Sequence, residues 1–315
     1  MKPFNPNIQW DHEEWLSELK RVQSLPSSPN TKILFKQLRS LIFKVNIEIV
    51  NIGYYTNNLG RKVFLPDVNS YSYLYSTPIS IQNKYSRMDV VTNVKVVNDD
   101  SIDAAEKLAK EGYNPAVLIL ACEDGPGGGV IGGCYGQEEG LFRRTNLYVY
   151  MYPFSKHASE YGLLPKKDKY PLDKCFGGVY VYNSIVFREQ ENLGYALKEH
   201  PFPMSFIAVP ALRDPQITIE GILTIEDSKI VKEKIKTILR IGLINGHDSL
   251  VLGAWGCGIF HNPPSHISNL FKIILDEEEF KNKFRVILFA ILEDDCSCKS
   301  HNPNGNFIPF YNTFK

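Results

Sequence analysis

Between about residue 90 and the carboxy end, short runs of consecutive apolar residues alternate with stretches in which apolar positions recur every three or four residues. Unbroken apolar runs of this length read as buried strands, and the three-to-four spacing reads as helices with one buried face. The pattern predicts strands at 90–97, 116–121, 179–187, 205–210, 249–254 and 285–292. It predicts helices at 101–111, 137–145 and 224–243, and one more opening at Pro263-Pro264, where a proline suits the first helical turn. Strands and helices in alternation imply an α/β sheet covered by helices. Residues 152–174, rich in turn formers, are expected to be a long surface loop. Ahead of this region the chain differs. Helices are expected at 11–22 and 31–45, separated by the breaker Leu25-Pro-Ser-Ser-Pro-Asn30, and Leu34, Leu38, Leu41, Ile42 and Val45 form the apolar stripe of the second. Residues 1–95 are therefore taken as a largely helical extension, a flank or lid, and residues 96–315 as the chemical domain.

Composition narrows the function classes. In 315 residues, 35 basic and 35 acidic side chains cancel, so no overall field exists to hold a nucleic acid, and phosphate recognition has to be local. No run of apolar residues has membrane length and the first nine residues lack a signal-type apolar segment, so a soluble intracellular protein, cytoplasmic rather than nuclear, is expected. The six cysteines are too few and too irregular for a disulfide framework. Cys296, Cys298 and His301 lack the second pair of a zinc site and read as a polar loop, so neither metal nor cofactor is expected.

The informative stretch runs from Asp124 through Gly127-Gly128-Gly129-Val130, Gly132-Gly133 and Cys134 to Gln137-Glu138-Glu139. It follows an apolar strand and opens a helix. Glycines allow backbone amides to converge on an anion, and a helix amino terminus adds a favourable dipole, so a diphosphate is the natural guest. Gly127, Gly129 and Gly132 also satisfy G-x-G-x-x-G, but the acidic ribose ligand that a dinucleotide fold needs about 20 residues later is missing. A second glycine-rich stretch, Gly253-Ala-Trp255-Gly256-Cys257-Gly258-Ile259-Phe260, again lies between a strand and a helix.

Gly127-Gly128-Gly129, seven residues, then Gln137-Glu138-Glu139 resembles the signature of the microbial-type poly(ADP-ribose) glycohydrolases, which are macrodomains. Arg144-Thr-Asn-Leu-Tyr148, the 253–260 loop and the strand at 286–292 are also similar to that family. The resemblance implies a macrodomain-like mixed sheet flanked by helices, and ADP-ribose or an ADP-ribosylated protein as partner. It further implies that Glu139 is the catalytic acid, that Glu138 holds the adjoining ribose, and that loops 127–133 and 253–258 wrap the diphosphate. Phe260 is expected near the adenosine, and Asp124, Gln137 and Ile259 among the substrate contacts. Cleavage at ribose C1 passes through an oxocarbenium-like state, which needs a proton donor for the departing atom and a water to attack. A reader that only binds ADP-ribose would need no such acid.

One departure stands out. Where the family carries an asparagine at the strand end before the glycines, this chain has Leu118-Ile-Leu-Ala-Cys-Glu123-Asp124. Two carboxylates there suit the guanidinium of an ADP-ribosyl-arginine, or they are solvated turn residues.

Overall fold

The computed structural model describes residues 10–81, 91–293 and 298–315; the amino-terminal nine residues, Val90 and Cys296, which figure in the reading above, lie outside them. The chain opens with α1 (His12–Gln23), capped by Asp11 accepting from the Glu14 amide, and α2 (Pro29–Ile52), capped by Ser28 with Pro29 at its first position. Both caps satisfy amides that a helix start leaves without partners. α2 runs seven residues past the predicted end and stops where Gly53 takes φ 82°. Three short strands follow, β1 (Tyr54–Thr56), β2 (Lys62–Phe64) and β3 (Tyr71–Tyr75), none of which the apolar pattern marked.

The alternating part then appears in the predicted order, with two helices, α5 and α8, that the pattern did not mark: β4 (Asn93–Val97), α3 (Ser101–Lys110), β5 (Pro115–Ile119), α4 (Gln137–Arg144), α5 (Leu147–Met151), β6 (Gly178–Arg188), β7 (Leu197–Ala208), α6 (Ile225–Ile244), β8 (Ser249–Leu252), α7 (Pro264–Leu275), β9 (Val286–Ala290) and α8 (Phe307–Phe314). The strand order of the main sheet is β3-β6-β7-β5-β8-β9-β4, and β7, β5, β8, β9 and β4 run parallel. Every residue of β5, β8 and β9 is buried, as expected of parallel strands covered by helices. β7 is much longer than predicted: its first half, Leu197-Lys-Glu-His-Pro-Phe-Pro203, is half-exposed and carries two prolines, so it leaves no apolar signature.

The residues fall into two compact units. One holds the chain up to Ser72 with Gly125–Lys167 and Val181–Met204; the other holds Tyr73–Asp124, Asp168–Tyr180 and Ser205–Lys315. The first therefore combines α1 and α2 with the glycine-rich segment and α4. Its core is built from Trp10, Trp15, Leu19, Ile42, Val45 and Ile49 on the amino-terminal segment, with Ile185, Phe187, Tyr195 and Leu197 on β6 and β7. The boundary between extension and chemical domain drawn at residue 95 does not follow this division. Among the described residues no helix is long and apolar enough to cross a membrane, and no group of three or more His, Cys, Asp or Glu side chains is arranged to hold a metal ion.

Candidate active site

In the first unit the carboxylates and the glycine loop are tied to one another. α4 begins at Gln137 with Gly136 as its cap, and no side chain caps it; Glu138 and Glu139 occupy its first turn, where the helix dipole favours acidic residues. Glu138 is 4% exposed and its Oε1 accepts the Gly127 amide at 2.8 Å; the more accessible Glu139 accepts the Gly129 amide at 2.9 Å. Within the loop, Val130 donates to Gly127, Gly133 to Val130 and Cys134 to Gly129. Five loop amides are thus engaged internally. Among the described residues, the amides of Gly128, Ile131 and Gly132 make no such bond.

The glycines have distinct reasons to lack side chains. A Cβ at Gly128, where φ is +51°, would lie 2.5 Å from Glu139 Oε1 and 3.2 Å from Glu138 Oε2, and one at Gly136 would collide with Glu139 Oε2. These two positions make room for the carboxylates. At Gly127 the space belongs to the Phe142 ring, and at Gly133 to the backbone carbonyl of Lys36 on α2. The loop therefore rests directly on an amino-terminal helix, and Ser40 adds a hydrogen bond to the Ile131 carbonyl at 2.9 Å.

α4 is fixed from behind by polar groups that the sequence pattern did not single out. Asn46, fully buried on α2, donates to the Arg143 carbonyl at 2.6 Å and accepts from Arg188 Nε at 2.6 Å. Arg143, itself buried, donates to the carbonyls of Arg39 and Cys134. Among the described residues Arg188 has no carboxylate partner, and burial pushes it down to about 9. At the other end of α4, Asn146 donates its amide to Ile185 on β6 and accepts from the amide of the same residue. The sequence clue to this scaffold is the Arg144-Thr-Asn-Leu-Tyr148 run, which carries Asn146.

In the second unit the 253–260 loop is held by its own side chains. Trp255 is fully buried and donates to the Val209 carbonyl at 2.7 Å; Asn262 donates to Leu212 at 2.7 Å and to Gly256 at 3.0 Å. Cys257 is buried, and burial pushes its thiol up, away from a reactive thiolate. The side chains of Trp255, Cys257 and, in the first unit, Val130 face the interior, so any part these residues take in binding is through their backbone. Ile259 is exposed and Phe260 half-buried, with the Arg213 guanidinium 4.4 Å from the Phe260 ring centroid. Arg213 also lies 3.8 Å from Glu123 and 4.0 Å from Asp124, and these three line an open cavity of about 820 Å³ together with Asp214, Gln216 and Asp227. The guanidinium beside these two carboxylates is the chain's own. His301 donates Nε2 to the Cys257 carbonyl at 2.9 Å, a structural contact that employs one member of the carboxy-terminal Cys/His group.

Comparison with known proteins fits this arrangement. Residues 44–189 match the family model for the catalytic domain of microbial-type PARG, poly(ADP-ribose) glycohydrolase. The crystal structure of the Thermomonospora curvata poly(ADP-ribose) glycohydrolase superposes with a TM-score of 0.68 at 25% identity, covering 88% of this chain and 99% of that one. The same enzyme bound to the inhibitor ADP-HPD gives 0.62 at 25% identity, with 88% and 97% covered. The Deinococcus radiodurans enzyme in complex with ADP-ribose gives 0.54 at 24% identity, with 71% and 84% covered. Among curated proteins no sequence matches. The likeness to the microbial-type poly(ADP-ribose) glycohydrolases carried by the Gly127–Glu139 motif is thus a likeness of sequence over residues 44–189 and of macrodomain-like α/β fold over most of the chain.

Proposed function

We propose that this chain binds ADP-ribose and hydrolyses the glycosidic bond at its ribose C1, with poly(ADP-ribose) as substrate. The observation that carries the proposal is the pair Glu138 and Glu139: one buried, one accessible, each held by an amide of the glycine loop in the motif that the family model matches. Glu138 is assigned to the ribose next to the scissile bond and Glu139 to the proton given to the departing oxygen as water attacks C1. The diphosphate is assigned to the amides of loop 127–133 that the loop itself leaves unengaged. Arginine-linked ADP-ribose is the weaker substrate, because Glu123 and Asp124 have the chain's own Arg213 beside them.

The test is release of ADP-ribose from poly(ADP-ribose), from arginine-modified protein and from glutamate-modified protein, by the parent and by Glu139→Gln. The polymer is expected to be cleaved, and the variant, which keeps size and hydrogen bonding but has no proton to transfer, should turn over roughly two to four orders of magnitude more slowly while still binding ADP-ribose. Parent-like turnover by the variant would show the assignment to be wrong. A parent that binds ADP-ribose yet cleaves none of the three is a reader.

A further inference from the structure

Poly(ADP-ribose) joins C1 of one ribose to the 2′ oxygen of the preceding unit's adenosine, so the group that departs when the polymer is cut is an adenosine. A modified side chain leaves without any base. We infer that Tyr135 is the surface that receives the adenine of the departing adenosine, which makes it a residue that selects polymer over ADP-ribosylated side chains; this rests on the assignment of Glu139 as proton donor.

The position comes first. Tyr135 immediately precedes Gly136, and Glu139 Oε2 lies so close over Gly136 that no Cβ fits there. Consecutive Cα atoms are about 3.8 Å apart, so the tyrosine is rooted beside the carboxylate that would protonate the leaving oxygen. The side chain is 53% exposed.

The second observation is that this ring is held. The Arg39 guanidinium stacks on it at 4.5 Å from the centroid, and Arg39 is itself fixed by paired hydrogen bonds to Glu191 at 2.8 and 3.0 Å. The backbone ahead of the ring is pinned as well, through the Cys134 carbonyl to Arg143 and through Gly133 against α2. An aromatic ring whose position is set before the ligand arrives loses little freedom on stacking, which is what a platform for a nucleobase requires. Neutralised by Glu191, Arg39 serves as the ring's backing.

The test uses the full chain carrying Glu139→Gln, so that ligands persist, and calorimetry with ADP-ribose and with a two-unit ADP-ribose oligomer. With Tyr135 present the oligomer should bind roughly tenfold more tightly than ADP-ribose, the scale of one base stacked on an aromatic ring. Tyr135→Ala should abolish that advantage without changing the affinity for ADP-ribose, and Tyr135→Phe or Tyr135→Trp should restore it. An oligomer advantage that survives Tyr135→Ala overturns the inference, as does the absence of any advantage with Tyr135 in place. If Tyr135→Ala and Tyr135→Leu both lose ADP-ribose along with the oligomer, Tyr135 belongs to the loop's fold and the inference is again wrong. Failure of the Tyr135-containing protein to bind either ligand would instead remove the ADP-ribose reading itself, and the inference with it.

Discussion

The two glycine-rich loops look alike in sequence, each lying between a buried parallel strand and a helix, yet their glycines serve different ends. In the 127–136 loop, two glycines make way for the carboxylates of Glu138 and Glu139, and two loop amides hold those carboxylates. In the 253–262 loop, Gly256 makes way for Ala211 and for the Asn262 side-chain amide, and the Asp214 carboxylate meets the loop only at its far end, through His261. Its bonds run to the backbone of 209–212, through Trp255 to Val209 and Asn262 to Leu212, while Lys234 on α6 adds a bond to Pro210. Glycine content thus reports close approach without saying what approaches. One loop is built around two carboxylates, the other around its own packing.

That contrast can be broken by substitution. In Gly128→Ala the new methyl group would push on Glu139, so turnover on poly(ADP-ribose) should drop by about two orders of magnitude, the share of a displaced catalytic acid. The thermal midpoint should fall only slightly, because the position is exposed and the positive φ costs about 1 kcal/mol. Parent-like turnover by this variant would mean that the carboxylates do not need that space.

The equivalent change at Gly256 should act on stability. Its φ is +77°, and a Cβ there would stand 2.6 Å from Ala211 Cβ and 2.7 Å from Asn262 Nδ2, neither of which is the end of a flexible side chain. Backbone strain and overpacking together should cost about 2–3 kcal/mol in denaturant unfolding, more than Gly128→Ala. Equal losses at both positions would erase the distinction between the loops.

The smallest expected effect is a pH dependence. Burial pushes the Lys234 ammonium down to about 8; Glu123, Cys175 and Asp173 oppose the shift, and the like charge of Lys174 adds to it. The folded chain therefore gives up that proton near pH 8, while the unfolded chain keeps it to about 10.5. Between those values unfolding takes up a proton, so through this group the parent's stability should rise by about 1.4 kcal/mol per pH unit. Comparison with Lys234→Met isolates that gain from other titrations. Identical pH profiles for the two proteins would show that Lys234 is not its source.

Much of this protein was legible in its residues alone. The run from Gly127 to Glu139, with a strand before it and a helix starting at Gln137, announced both the loop and the order of the alternating elements, because turn chemistry and apolar periodicity are local properties. The short strands β1 to β3 and the polar first half of β7 escaped, since they are too short or too exposed to leave an apolar signature. Residues 1–95 read as a flank, yet Lys36 and Ser40 carry the glycine loop and Asn46 holds α4. Arg213 stands beside Glu123 and Asp124, a neighbour that the sequence did not name. These pairings join residues some 90 apart in the chain, as with Ser40 and Ile131, and no periodicity or motif encodes which distant backbone will occupy the space a glycine leaves open. A sequence lists the groups capable of chemistry; which neighbours hold them is decided only when long-range packing closes.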